Sequence, residues 1–168
     1  MTATDLDQPA LTFESSGPAE TRRIGERLAR LFEPGDVVLL RGELGAGKTC
    51  LAQGIGRGLR VAEAVKSSSF VLVNEYAGRL RVYHADLFRL NAPEEVADLA
   101  LEENAREGLL LVEWPERALE VLPPEHLLVE IEIVDDRRRR LRLTARGGRY
   151  ESLLHRFGAA TAKRGGAV

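Results

Sequence analysis

From Ala19 onward Ile24, Leu28, Leu31 and Phe32 recur at helical spacing among Arg22, Arg23, Glu26, Arg27 and Arg30. The pattern predicts one amphipathic helix, which Pro34-Gly35 ends. Val37 to Leu40 is a short unbroken apolar run of the kind a strand buried on both faces requires, as in a parallel sheet. A glycine-rich stretch, Gly42 to Gly47, follows it, and Lys48 through Leu59 reads as a helix with Leu51, Ile55 and Leu59 on one side. The runs at 70–73 and 80–84 flank Gly78 and predict an antiparallel hairpin. Pro93 opens a helix carrying Val96, Leu99 and Leu101 that ends near Gly108, and Leu109 to Val112 forms a second central strand with Glu113 at its carboxyl end. A short helix to Leu119 comes next. The segments 127–133 and 138–144 alternate as two strands joined around Asp135-Asp136-Arg137, and a last helix holds Tyr150, Leu153, Leu154 and Phe157.

These elements predict a single α/β domain over residues 19–158, P-loop NTPase-like, with a central mostly parallel sheet, antiparallel hairpin strands and flanking helices. Residues 1–18 are set apart as an N-terminal segment, and the small, polar residues 159–168 as a frayed, disordered tail. At 168 residues, 44% hydrophobic and 30% charged, the chain can bury a core of its own, which excludes collagen, a coiled-coil rod and a disordered chain. Its net charge of −2 excludes the global basic field that holds a protein on DNA or RNA by counterion release, so any RNA is met by a local patch or through another protein. Cys50 is the only cysteine, so no internal disulfide or CxxC pair exists, and no stretch is long and apolar enough to span a membrane. A cytoplasmic protein is expected.

The chemistry sits between the first central strand and its helix. Gly42-Glu43-Leu44-Gly45-Ala46-Gly47-Lys48-Thr49 fits GxxxxGK[ST]. Glycines in such a loop let successive backbone N–H groups converge on phosphate oxygens, toward which the next helix aims its positive end. Lys48 would neutralise the β- and γ-phosphates, and Thr49 would offer its hydroxyl to Mg²⁺. Glu113 stands where a second, carboxylate ligand for that Mg²⁺ belongs. Asp86, at the end of another strand, suits the positioning or deprotonation of an attacking water, with an N-cap as its plainer role. His84 reads as a neutral histidine packed in a strand, and Trp114 either as a core ring or as a wall beside the nucleotide. The strings DxxG and NKxD do not occur, which disfavours a GTPase. The stretch 92–108 is too acidic to supply the arginine-rich lid that clamps donor phosphates, so a small-molecule kinase stands only as an alternative.

Taken together, Gly42 to Thr49, the 67–76 stretch Ser-Ser-Ser-Phe-Val-Leu-Val-Asn-Glu-Tyr, Val82 to Leu90 with its His84-Ala85-Asp86-Leu87 string, and Val112-Glu113-Trp114-Pro115-Glu116 resemble the TsaE family, formerly YjeE, in register from about Thr21 to Ala145. The resemblance implies a bacterial ATPase that uses ATP and Mg²⁺ and acts with TsaB and TsaD, touching tRNA only through that assembly, in making threonylcarbamoyladenosine at position 37 of tRNAs that read codons beginning with A. It implies that Leu44, Gly45, Ala46, Gly47, Lys48 and Thr49 hold the phosphates, that Thr49 and Glu113 hold Mg²⁺, and that Asp86 serves the hydrolytic water. Thr21 and Arg139 would sit near the nucleotide. A nucleotide-gated binding module with incidental hydrolysis is the competing reading. One departure stands out: Ser67-Ser68-Ser69-Phe70 replaces the family's Ser-Pro-Thr-Phe or Ser-Pro-Thr-Tyr, so this loop is expected to be more mobile. The arginines at 137–140 read as a solvated hairpin tip rather than an RNA-docking patch.

Overall fold

In the computed structural model, which describes residues 7–66 and 73–165, the two unbroken apolar runs lie side by side at the centre of one sheet. Its strands are β1 (Ala10–Ser15), β2 (Val37–Gly42), β3 (Val73–Tyr76), β4 (Arg81–Asp86), β5 (Gly108–Glu113), β6 (His126–Ile133) and β7 (Arg139–Arg146), in the order β1-β7-β6-β2-β5-β4-β3. The central pairs β6–β2, β2–β5 and β5–β4 are parallel, while β3 on one side and β7 and β1 on the other pair antiparallel. Parallel strands carry helices on their faces, which is why β2 and β5 are apolar at every inward position.

Helices α1 (Pro18–Ala29), α2 (Lys48–Gly58) and α4 (Gly148–Gly165) cover one face over Val38, Leu40, Leu109, Leu111, Val129 and Leu143. The other face is covered by a 3₁₀ helix (Pro93–Leu99) and the short α3 (Leu101–Ala105) over Val37, Leu39, Leu110 and Val112. Burying each such leucine or valine contributes about 1.5–3 kcal/mol, so these two layers fix the register of β2 and β5. The fold is P-loop NTPase-like α/β, as the order of elements predicts.

Helix α1 approaches α2 backbone to backbone. A Cβ at Gly25 would lie 2.6 Å from the carbonyl oxygen of Leu51, and one at Gly54 would overlap the backbone of Arg22. Glycine costs helix propensity at both places, and the contact it permits sets the direction of α2 and hence of the loop before it.

Three expectations are corrected. Residues 10–15, placed in the separate N-terminal segment, form β1 and pair with β7 over its length. Only Leu11 and Phe13 alternate there, too short a pattern to read, yet Phe13 meets Phe157 edge to face at 5.3 Å. The tail from Ala159 is helical to Gly165, since Thr161 donates to the carbonyl of Phe157 and accepts from Arg27 Nη2 at 2.9 Å. The helix expected across 93–108 is instead broken at Ala100, whose φ of +47° interrupts it. Its buried residues Val96, Leu101 and Ala105 are five and four apart, so one straight helix cannot bury all three. The loop Ser67 to Phe70 and, with Phe70, residues 71 and 72 of the hairpin strand expected at 70–73 lie outside the described residues.

Candidate nucleotide site

Four strands, β6, β2, β5 and β4, point their carboxyl ends to one rim of the sheet, where ligands of open α/β sheets gather. The loop from Gly42 to Gly47 leaves β2 at this rim, with Gly45 at φ +80° and Gly47 at φ +113°, backbone angles that a side chain resists. Gly47 caps the eleven-residue α2, whose first-turn N–H groups have no helical acceptor and whose first turn holds no acidic residue. That end of the helix is electropositive and open to an anion.

Lys48 is buried, and its Nζ donates to the carbonyls of Gly42 at 2.6 Å and Glu43 at 2.9 Å while resting 4.2 Å from the centre of the Trp114 ring. Burial lowers its pKa, against which the charges of Glu113, Glu116 and Asp86 act. Leu44, at the loop's tip, is 78% exposed, whereas Ala46 is fully buried beneath it. Thr49 is half-buried on the first turn of α2.

The acids come from neighbouring strands. Asp86 pairs with Glu113 across β4 and β5, and Glu113 pairs with Leu40 of β2, so both carboxylates stand beside the strand that launches the loop. The alternation of β4 and β5 puts His84, Asp86 and Glu113 on the face that α2 covers. Asp86 Oδ1 accepts the N–H of Phe88 at 2.9 Å, and the N–H of Leu87 donates to the Glu113 carbonyl at 3.0 Å, which pins the turn after β4 to the end of β5. Burial pushes the Asp86 carboxyl above its ordinary value of 3.8. Glu113 is 2% exposed and meets the fully buried His84 Nε2 at 2.8 Å.

Thr21 and Arg139 support the loop from two sides. The methyl of Thr21 lies 4.0 Å from where a Cβ on Gly47 would stand, while its buried hydroxyl is hydrogen-bonded to Ser15 at 2.7 Å. Arg139 donates from Nε to the Ala46 carbonyl at 3.0 Å, from Nη2 to Gly45 at 3.4 Å, and from Nη1 to Asp135 and Arg138 carbonyls. Of the 137–140 cluster, Arg139 is the one that turns to the loop. Arg138 pairs with Asp135, and Arg140 with Glu132 and Glu14, on an exposed hairpin. Trp114, at φ +58°, packs its half-buried ring against Phe88, centroid to centroid 4.9 Å with the two planes tilted by 48°, and forms a wall of the site. The pairing of Phe88 with Trp114 and the bond from His84 to Glu113 were missed in the sequence. The two-residue spacing of His84 and Asp86 on a strand was the available signal for the second.

The residues fit a nucleotide with a divalent ion. Hydroxyl and carboxylate oxygens suit Mg²⁺, which takes hard oxygen ligands. Among the described residues no three His, Cys, Asp or Glu side chains converge to hold a metal by themselves.

A sheet parallel at its centre, a glycine loop leaving its central strand and a helix receiving that loop define a protein of the P-loop NTPase-like class. The model of the family described as threonylcarbamoyl adenosine biosynthesis protein TsaE matches residues 15–141, and the chain belongs to this family. It is 39% identical over 145 residues to the tRNA threonylcarbamoyladenosine biosynthesis protein TsaE of Bacillus subtilis, covering 85% of this chain and 90% of that one. The protein of the same name from Treponema pallidum is 36% identical over 128 residues, 76% of this chain and 95% of its own. The crystal structure of Bacillus subtilis YdiB superposes with a TM-score of 0.81 at 35% identity, over 92% of this chain and 97% of that one. Membership places the protein in tRNA threonylcarbamoyladenosine biosynthesis. No helix among the described residues is long and apolar enough to cross a membrane.

Proposed function

We propose that the protein binds ATP with Mg²⁺ on the Gly42 to Thr49 loop and hydrolyses it, slowly alone and faster with TsaB and TsaD, in support of threonylcarbamoyladenosine formation on tRNA. The observation that carries this reading is the convergence of Lys48, Asp86 and Glu113 on one rim, beside a loop whose amides open onto the start of α2. The loop and first-turn amides would hold the phosphates, and Lys48 would exchange the carbonyls of Gly42 and Glu43 for phosphate oxygens. Thr49 and Glu113 would hold the Mg²⁺, which offsets negative charge on the phosphate oxygens when bound. Asp86 orients the water and takes its proton, a role its raised pKa suits.

Slow turnover follows from the arginines. Arg139, the one on the loop, is committed to backbone carbonyls and cannot meet charge developing on a phosphoryl group without releasing Gly45 and Ala46. A cation supplied by a partner is worth about 10³ to 10⁵ in rate for this chemistry. The test is steady-state ATP turnover by the protein alone and with TsaB and TsaD, beside a folded Lys48→Ala variant. Activation by the pair, with nucleotide binding weakened in the variant, supports the reading. Unchanged ATP affinity in Lys48→Ala would overturn the nucleotide site, and fast turnover alone with no response to the pair would overturn the partnership.

A further inference from the structure

The pair formed by His84 and Glu113 is the buried polar contact that nothing above explains. Both side chains are sealed from solvent, at 0% and 3% exposure, and lie 2.8 Å apart. A carboxylate only accepts, so His84 Nε2 carries the proton and donates it to Glu113 Oε2. The other ring nitrogen, Nδ1, is buried with no partner among the described residues. A histidine kept for packing alone has both nitrogens satisfied or gives way to an apolar residue, because an unmatched buried nitrogen is destabilising. Among the described residues the ring makes one hydrogen bond, aimed at the carboxylate that the proposed site needs.

We infer that His84 is a positioning residue: its Nε2–H holds one oxygen of Glu113 so that the carboxylate presents its other oxygen toward the start of α2 for a divalent ion carried in by the nucleotide. This inference rests on the nucleotide reading above. Strand geometry makes the role specific. His84 stands two residues before Asp86 on β4, on the same face, and Asp86 is the cross-strand neighbour of Glu113. One histidine thus fixes the torsion of Glu113 from below while Asp86 remains directed to the rim. Partners that orient a metal-binding carboxylate change metal affinity about 10- to 100-fold when removed.

The test measures Mn²⁺ binding by electron paramagnetic resonance on the full chain with a non-hydrolysable ATP analogue, and analogue binding in chelator without metal. The variants are His84→Leu, which removes the donor, His84→Gln, which sets an amide N–H near the reach of Nε2, and His84→Asn, whose amide reaches only as far as Nδ1. His84→Leu and His84→Asn are expected to weaken Mn²⁺ binding about tenfold or more with metal-free analogue binding unchanged, and His84→Gln to restore most of it. Thermal melting establishes that each variant is folded; should His84→Leu not fold, the comparison of His84→Gln with His84→Asn decides. Wild-type Mn²⁺ affinity in a folded His84→Asn or His84→Leu would overturn the positioning role, and so would equal losses in His84→Gln and His84→Asn, because shape and not the donor would then matter. A wild-type protein that binds no analogue would overturn instead the nucleotide reading beneath it.

Discussion

The two rims of the sheet treat buried polar groups in opposite ways. At the rim opposite the candidate site, Asp36 is 3% exposed and every demand on it is met. Arg149 grips it with Nε at 3.0 Å and Nη2 at 2.7 Å, the N–H of Glu33 donates to it at 2.8 Å, and Arg149 also reaches the Leu31 carbonyl. Tyr150, its hydroxyl pushed up to about 12 by burial, accepts the N–H of Val37 at the start of β2. At the site rim Lys48 is held by two carbonyls that a ligand can replace, Asp86 is desolvated, and His84 leaves a nitrogen unmatched among the described residues. One rim holds the fold together. The other tolerates polar groups short of partners, the mark of a site whose partners arrive with a ligand.

The comparison breaks most visibly if Asp86 proves structural. Asp86→Asn keeps an oxygen for the N–H of Phe88 and loses the proposed base, so turnover is expected to fall about 10²- to 10⁴-fold with ATP binding retained, read by steady-state turnover and isothermal titration. Normal turnover would leave the site rim without the catalytic member proposed for it. At the opposite rim, Arg149→Ala strands the buried Asp36 and is expected to lower stability by about 3 kcal/mol, measured by urea denaturation, with ATP affinity unchanged. A loss of ATP affinity in that variant at permissive temperature would show that the two rims are not independent.

The site rim was legible in the sequence and the stabilising rim was not, for a physical reason. Phosphate binding confines glycines, a lysine and a hydroxyl to eight consecutive residues, so the Gly42 to Thr49 loop announces itself. The contact of Asp36 with Arg149 spans 113 positions and leaves no local pattern. The same holds for Arg139, which reaches the loop across 93 residues and was placed near the nucleotide only by resemblance. The core strands β2 and β5 were legible because parallel strands are apolar on both faces, while the edge strand β1 shows one face of two apolar residues and was overlooked.

A milder substitution sharpens the contrast. Tyr150→Phe removes the acceptor of the buried Val37 N–H and nothing else, and is expected to cost about 1–2 kcal/mol in urea denaturation without touching turnover. A neutral result would mean that water reaches the start of β2, and that the opposite rim is less sealed than its hydrogen bonds imply.

The smallest effect concerns Asp86 again, now as a burden on stability. Burial raises its carboxyl above 3.8 in the folded protein, with the charge of Glu113 acting in the same direction. The folded state therefore binds the proton more tightly than the unfolded chain does, and the ionised form is disfavoured by folding. Above the folded pKa the full penalty is present; as pH falls through that value toward 3.8 the native carboxyl takes up its proton first and the penalty is relieved. Asp86→Asn carries no such charge and keeps the bond to Phe88, so it is expected to melt slightly above wild type at pH 7, with the gap closing as pH approaches 4. Scanning calorimetry of both proteins from pH 4 to pH 8 measures it. The same substitution would then lower turnover and stabilise the fold, the trade that a functional rim makes and a structural one does not. A variant less stable than wild type at pH 7 would assign Asp86 to the scaffold and erase the difference between the two rims at this residue.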